Sequence, residues 1–507
     1  MEWTFPFSGG LQPIQMKMPK KIVRGNFVGY RWTPISVVEM IRYFGIILKI
    51  SILELNLGGY DAYWDKKISV KAGRNYSVQL MRLQPWARDV MTKHRFKQIR
   101  AAFRPEVNST NIGDKCHQLR HVINKFNQSA RKTFMPGYAL SFDEGGHACR
   151  SRYCPVRQYN KDKPAKYRVD FFILSDAIEY FICHVDVYQG RNGANVGIHE
   201  TVKTMPTTQK ALANALIAAK VTNDPRGYRA VFTDNRYSSI ELAIYIREKF
   251  KILTAGTIRK NRKGFNKDLF TMAVKNSQRG DSKLYYDPTY KVAIAQWHDN
   301  KVVNVVSTLG LSGKVNISRR LGQNVVEIST EKCIREYQLY MGGVDRGDQI
   351  RETGAGFCRK AHFKKWYKKS FFAICDFMLL NSYIAWNLAA KSRNSYNKKE
   401  LQKHEFYAAF AEELLCVNDS DVEEAYTNEL CLPIVDAESP NIEKTSTVYF
   451  DHLPNYDWGE MTLFVRIVMS VKWKAIYNHV QSLVGVQVGT NVLWHSVIPV
   501  VFLGTHQ

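Results

Sequence analysis

Cysteine is scarce in these 507 residues: there are nine, odd in number and irregularly spaced, and none follows Cys431. Scarcity of this kind excludes a disulfide framework and points to free thiols in a reducing compartment. Long uncharged apolar runs are missing too. Residues 40–57 are apolar but carry Arg42, Lys49 and Glu54 and read as a core helix, and residues 480–503 carry Gln481, Gln487, Asn491 and His495, which argue against a membrane span, so no membrane partner is expected. The first residues lack the basic start and apolar core of a secretory signal, which makes the Asn-x-Ser/Thr sites at Asn75, Asn108, Asn127, Asn316 and Asn418 chance matches. Acidic residues are the minority charge. With 72 Lys+Arg against 46 Asp+Glu the formal net charge is +26, and nucleic acid is the default partner of such a chain.

Against that basic background three aspartates stand out: Asp143 in Tyr-Ala-Leu-Ser-Phe-Asp-Glu, Asp234 in Arg-Ala-Val-Phe-Thr-Asp-Asn, and Asp345 in Gly-Gly-Val-Asp-Arg-Gly-Asp. The first two close short apolar runs, the pattern of a buried strand that delivers a carboxylate at its end. The third enters a helical pattern through a glycine-broken stretch. A lone Asp after a strand is ordinarily a cap or turn residue. Three that converge are able to hold two hard divalent cations about 3.5 to 4 Å apart for in-line phosphoryl chemistry.

The pattern along the chain places them. Thr33-Pro34 reads as a helix start, and residues 87–103 and 117–134 as two further helices rich in Lys, Arg and His. Strand-like runs follow at 139–143, 168–175 and 180–187, then a helix at 208–220, a strand at 228–233, a helix at 238–250 and a strand at 252–257. Three strands followed by alternating helix and strand is the order of an RNase H-like α/β fold, with Asp143 on the first strand and Asp234 just after the fourth. Residues 265–321 break this order with more strand-like pieces, which predicts an inserted β domain. Residues 361–390 are helical and aromatic and are expected to pack with the N-terminal helices, while residues 405–460, where Lys444 is the only Lys or Arg, read as an acidic linker.

Five motifs in one order resemble piggyBac-type transposases: Asp143-Glu144, Arg152-Tyr-Cys-Pro-Val-Arg157, the run from Asn160 to Tyr167, Thr233-Asp-Asn235, and Tyr340-Met-Gly-Gly-Val-Asp-Arg-Gly-Asp-Gln349. The resemblance spans about residues 33–390. It implies a cut-and-paste DNA transposase with Asp143, Asp234 and Asp345 as catalytic metal ligands and Asp348 as a fourth carboxylate beside them. It also implies Mg²⁺ or Mn²⁺ as cofactor, double-stranded DNA with transposon ends and a TTAA target as partner, a homodimer, and a nuclear location. Phosphate contacts are expected from Arg157, Lys161, Lys163 and Lys166 near the first carboxylate, and from Lys364, Lys365, Lys368 and Lys369 in an aromatic-basic run.

The expected layout is an N-terminal extension (1–32), a helical dimerisation and DNA-binding part (33–136), an RNase H-like catalytic part (137–262), the inserted β domain (263–330), a second catalytic part (331–354), a second helical DNA-binding part (355–404), the acidic linker (405–460) and a tail (461–507). Many members of the family end in a cysteine-rich zinc domain. Here the tail offers only His479, His495 and His506, and His147, Cys149 and Cys154 match no ligand spacing, so no zinc is expected. Intact carboxylates argue for retained catalysis, whereas the cysteine-free tail argues for a non-catalytic DNA-binding host protein derived from a transposase. Both readings stand on the sequence.

Overall fold

The computed structural model describes residues 33–53, 60–64, 85–105, 113–190, 197–225, 227–265, 272–359, 363–392 and 400–422, with short strands at 21–23, 26–28, 69–71 and 77–79. In chain order, β1 (Lys21–Val23) pairs with β2 (Asn26–Val28), α1 (Val37–Ile52) follows, and β3 (Ser69–Lys71) pairs with β4 (Ser77–Gln79). Helices α2 (Trp86–Val90), α3 (Lys93–Ala102) and α4 (His117–Thr133) lead into β5 (Ala139–Ala148), β6 (Gln158–Tyr159), β7 (Tyr167–Asp176) and β8 (Ile182–Val187). Next come α5 (Thr207–Ala218), β9 (Arg229–Thr233), α6 (Ile240–Phe250) and β10 (Ile252–Thr257). Strands β11 (Ser282–Asp287), β12 (Val292–His298), β13 (Val302–Ser307), β14 (Lys314–Leu321) and β15 (Asn324–Glu331) precede α7 (Lys332–Tyr340), α8 (Gly343–Glu352), α9 (Trp366–Ser392) and α10 (Lys403–Cys416).

The chain divides into two units, one of Met1–Ile112, His117–Lys125 and Arg351–Gln507, the other of Gly113–Cys116 and Phe126–Ile350. In the second, a nine-stranded mixed sheet runs β11-β12-β13-β10-β9-β5-β7-β6, with β8 also pairing to β7. Its centre is parallel, β10 to β9 and β9 to β5, and β7 is antiparallel to β5. Ala139, Ala230, Phe232, Ala255 and Trp297 pack with Ile334 and Tyr337 of α7, and Ala243, Phe265, Val292 and Val306 form a second cluster around α6.

Strands β11 to β13 differ from the expected separate domain at 263–330. They continue the central sheet through the β10–β13 pairing, and only β14 and β15 form a hairpin of their own. An unpaired β10 edge would leave its main-chain groups open, and the added meander satisfies them.

The other unit is helical. Ser36, not Thr33, caps α1, and Glu39 completes the capping box. The expected helix over 87–103 is two helices: Met91 is extended, and Thr92 caps α3. Rings of Phe44, Phe103, Phe357, Phe371 and Phe372 form one aromatic core, with Phe103 and Phe371 centroids 5.0 Å apart, so α9 packs with the N-terminal helices. Residues 366–388 are long and apolar enough to cross a membrane, and most of this stretch is buried inside the protein.

The acidic stretch from Glu405 begins as structure, not linker. Phe406, Tyr407, Phe410 and Leu414 of α10 are buried, and Gly45 of α1 admits the helix because a Cβ there would lie 2.9 Å from Leu414 Cβ. Surface acids around an apolar stripe hid this helix from a composition-based reading. From residue 423 onward that stretch, and the tail with His479, His495 and His506, lie outside the described residues.

Candidate active site

The last register pair between parallel strands β5 and β9 is Phe142↔Thr233, so Asp143, still within β5, and Asp234, just past β9, come side by side. The turn after β9 is held by Thr233 Oγ1 against Ser238 Oγ at 2.8 Å, and Asp234 Oδ1 accepts from the Arg236 N–H at 2.8 Å. Gly256 makes this turn fit, since a Cβ there would lie 2.1 Å from Ser238 Oγ. One expectation changes: β5 does not end at Asp143 but continues to Ala148, with β7 alongside, so the carboxylate stands mid-strand.

Ser141, Asp143 and Gly145 alternate onto one face of β5. Ser141 Oγ donates to the Met341 carbonyl at 2.9 Å, and Gly343 permits the approach, because a Cβ there would lie 2.8 Å from Ser141 Cβ and 2.9 Å from Ala177 Cα. This seats the start of α8, with Asp345 in its first turn, over the face that carries Asp143. Asp348, one turn on, reaches the strand where side-chain bulk is missing: a Cβ on Gly145 would lie 2.7 Å from its Oδ2.

Burial pushes the Asp143 carboxyl up to about 6, and the charges of Asp234 and Asp345 add to that rise, while the Glu144 N–H and Lys163 oppose it. Burial also raises Asp234, against the Arg236 N–H and the guanidiniums of Arg236, Arg259 and Arg262. Glu144 is pushed up to about 8 by burial despite Arg236, whose guanidinium lies 2.7 Å from Glu144 Oε1. The donor set is carboxylate oxygen, which suits Mg²⁺ or Mn²⁺. Among the described residues no three His, Cys, Asp or Glu side chains gather closely enough to hold an ion.

Arg157, Lys161, Lys163 and Lys166 lie in the segment between β5 and β7; the three lysines are exposed and Arg157 is half-buried, 4.8 Å from the Tyr167 ring centre. In the helical unit Lys364 and Lys365 are exposed and Lys369 is half-buried, but Lys368 is buried. Its Nζ donates to the carbonyls of Arg100 and Ala101 at 2.8 and 3.1 Å, and burial lowers it to about 8. Lys368 therefore secures the end of α3, and the expected four-lysine face is reduced by one. His147, Cys149 and Cys154 are all buried; the Cys154 thiol is held protonated by its contact with Cys149 and by burial.

The arginines around Asp234 were not anticipated from the sequence. Arg259 donates to Asn235 Oδ1 at 2.9 Å, and Arg262 to the carbonyls of Asn235 and Arg236 at 2.8 and 2.9 Å. The signal available was the basic run Arg259-Lys-Asn-Arg-Lys263 directly after a strand that neighbours Asp234.

Neighbouring aspartates stand at the parallel centre of a mixed sheet, with further acids on an adjoining helix, and the family match makes the class a transposase. The profile of the family described as Transposase IS4 matches residues 11–383, more than half of the chain, and the chain belongs to that family. Within it the relatives are piggyBac-derived. The chain is 28% identical over 306 residues to the human PiggyBac transposable element-derived protein 3, covering 58% of this chain and 46% of that one. The same identity over 306 residues relates it to the human Chimeric ERCC6-PGBD3 protein, of which 26% is covered. The chain thus spans less than half the length of these relatives. A solved piggyBac transposase synaptic complex with hairpin DNA shares the fold, with a TM-score of 0.59 at 18% identity, covering 81% of this chain and 80% of that one.

Proposed function

We propose that this chain is a DNA strand-transfer enzyme of the piggyBac type, with an RNase H-like catalytic core. Asp143, Asp234 and Asp345 would hold Mg²⁺ or Mn²⁺, with Asp348 beside them. The observation that carries this reading is the placement of Asp143 and Asp234 directly after one parallel register pair, with the Asp345 charge felt at Asp143. Bound there, the ion would supply positive charge to activate an attacking hydroxyl and to stabilise the leaving oxygen. Arg236, Arg259 and Arg262 surround Asp234 and are suited to hold a scissile strand by its phosphates. Double-stranded DNA with transposon ends, a TTAA target, a homodimeric assembly, a nuclear location and no membrane partner belong to the same proposal.

A second reading is a DNA-binding host protein that kept the fold without the chemistry, in line with the lack of any cysteine after Cys431. Excision of a reporter flanked by the cognate terminal repeats, compared with Asp234→Ala, separates the two. Excision that requires Asp234 supports the enzyme. DNA occupancy unchanged by Asp234→Ala, with no excision by either protein, supports the binding protein.

A further inference from the structure

One edge of the sheet carries aromatic rings that the carboxylate site does not use. β6 is the outermost strand on its side, and Tyr159 stands opposite Tyr167 across the β6–β7 pairing. Their ring centres are 5.1 Å apart, yet Tyr159 is 62% exposed and Tyr167 45%. Tyr153, in the turn before β6, is 76% exposed. Guanidiniums sit against two of these rings: Arg152 is 5.1 Å from the Tyr153 ring centre and Arg157 is 4.8 Å from that of Tyr167. The turn that follows, closed by Asn160 N–H to the Lys166 carbonyl at 2.9 Å, exposes Lys161, Lys163 and Lys166. From 150 to 168 the only acid is Asp162.

A cross-strand tyrosine pair stabilises a hairpin by itself, but that does not account for Tyr153, which lies outside any strand. Rings with open faces next to guanidiniums and lysines suit a ligand that alternates flat apolar faces with phosphate. In a duplex each base face is covered by its neighbours, so an unpaired strand is the form that offers faces to stack. β7 links this edge to the site: Ile173, six residues beyond Tyr167, pairs with Asp143, so the Tyr159–Tyr167 pair lies roughly 20 Å along the strand from that carboxylate.

We propose that Tyr153, Tyr159 and Tyr167, with Arg152 and Arg157, form a stacking platform for unpaired DNA bases at the end of β7 away from the carboxylate site. The platform rests on the strand-cleavage reading for its biological strand, but its binding is tested independently. The full chain is titrated with a fluorescent oligothymidylate, with the same strand carrying 2-aminopurine, and with a duplex, all at one salt concentration. Tyr153→Ala and the double variant Tyr159→Ala/Tyr167→Ala are expected to lose about five- to a hundredfold in single-strand affinity, the range for removal of one stacked base. Duplex affinity, set by phosphate contacts, is expected to change by less than about twofold. The matching Phe variants should bind as wild type, and 2-aminopurine quenching should vanish only in the Ala variants.

Equal losses on both DNA forms, no loss on either, or Phe variants as weak as Ala overturn the platform, as does binding of the duplex in preference to the single strand. Tyr153 is too exposed to support the fold, so Tyr153→Ala decides the matter if the double variant does not fold. Cleavage scored on the same preparations keeps the two proposals apart: activity retained by Asp143→Ala counts against the enzyme reading, and tyrosine-independent single-strand binding counts against the platform.

Discussion

Asp376 in α9 and Asp143 in β5 are both pushed by burial up to about 6, yet their surroundings differ. Asp376 accepts from the N–H groups of Phe357 and Cys358 at 2.6 and 2.9 Å, and Arg351 adds favourable charge. It ties the segment before α9 to that helix, and Lys403, which donates to the carbonyls of Arg351 and Thr353, anchors the same region. Asp143 has one short-range donor, its neighbour's N–H at 2.8 Å, and its other near neighbours include acids. Similar burial thus serves two ends. Where donors surround the acid it holds the fold, and where other acids act on it the buried charge costs stability.

The comparison breaks most sharply under alanine substitution. Asp143→Ala, Asp234→Ala or Asp345→Ala is expected to reduce Mg²⁺-dependent strand cleavage to background with a smaller loss of Tm than Asp376→Ala, since each removes little packing. Asp376→Ala is expected to destabilise the helical unit by about 2–5 kcal/mol, because two buried N–H groups lose their acceptor. Denaturant melts alongside a nicking assay check both; a stable, inactive Asp376→Ala with an unstable Asp143→Ala would invert the assignment.

Gly145→Ala is the next largest. Its Cβ would meet Ile173 Cδ1 at 2.5 Å and Asp348 Oδ2 at 2.7 Å, so about 1–3 kcal/mol of overpacking is expected together with displacement of Asp348. A wild-type melt and wild-type cleavage in this variant would show that α8 yields freely.

Acidity sharpens the contrast further. Both folded-state values lie above the usual 3.8, so each acid's stabilising contribution is complete below about pH 4 and is lost as pH rises through about 6. The ion-free protein should therefore melt lower near neutral pH than near pH 5 on account of these groups. Mg²⁺ should recover the Asp143 share near neutral pH but not the Asp376 share, and calorimetry of wild type against Asp143→Asn, with and without Mg²⁺, measures it. An equal Mg²⁺ response in both proteins would remove Asp143 from the ion's ligands.

The smallest effect concerns the lysines at the start of α9. Replacing exposed Lys364 and Lys365 by Gln should flatten the slope of log affinity for DNA against log salt by about 2, one phosphate for each. Lys368→Gln should instead lower Tm, since its ammonium binds two main-chain carbonyls. An unchanged slope in the first variant would make these lysines a solvated face.

The alternation of strands and helices from 139 to 257 was legible because apolar runs of four to eight residues bounded by turn residues have few other solutions. The adjacency of Asp143 and Asp234 followed from that order. Three features were not legible. The continuation of β5 past Asp143 runs through Glu144, Gly145 and Gly146, residues that weaken a strand pattern, and it forms because β7 supplies a partner along its whole length. The docking of β13 onto β10 is a pairing of distant segments, which local pattern does not encode. The burial of Lys368 depends on two carbonyls at the end of α3, far away in sequence.

The parallel ladder between β5 and β9 has one more consequence, for inheritance. Strands joined by main-chain hydrogen bonds stand roughly 4.8 Å apart whatever side chains they carry. The spacing between Asp143 and Asp234 is therefore written in peptide geometry and not in the identity of their neighbours. Mutations that rework the surrounding side chains leave that gauge unaltered as long as the ladder forms. Side chains can then change widely while the interval between these two positions is handed down unchanged.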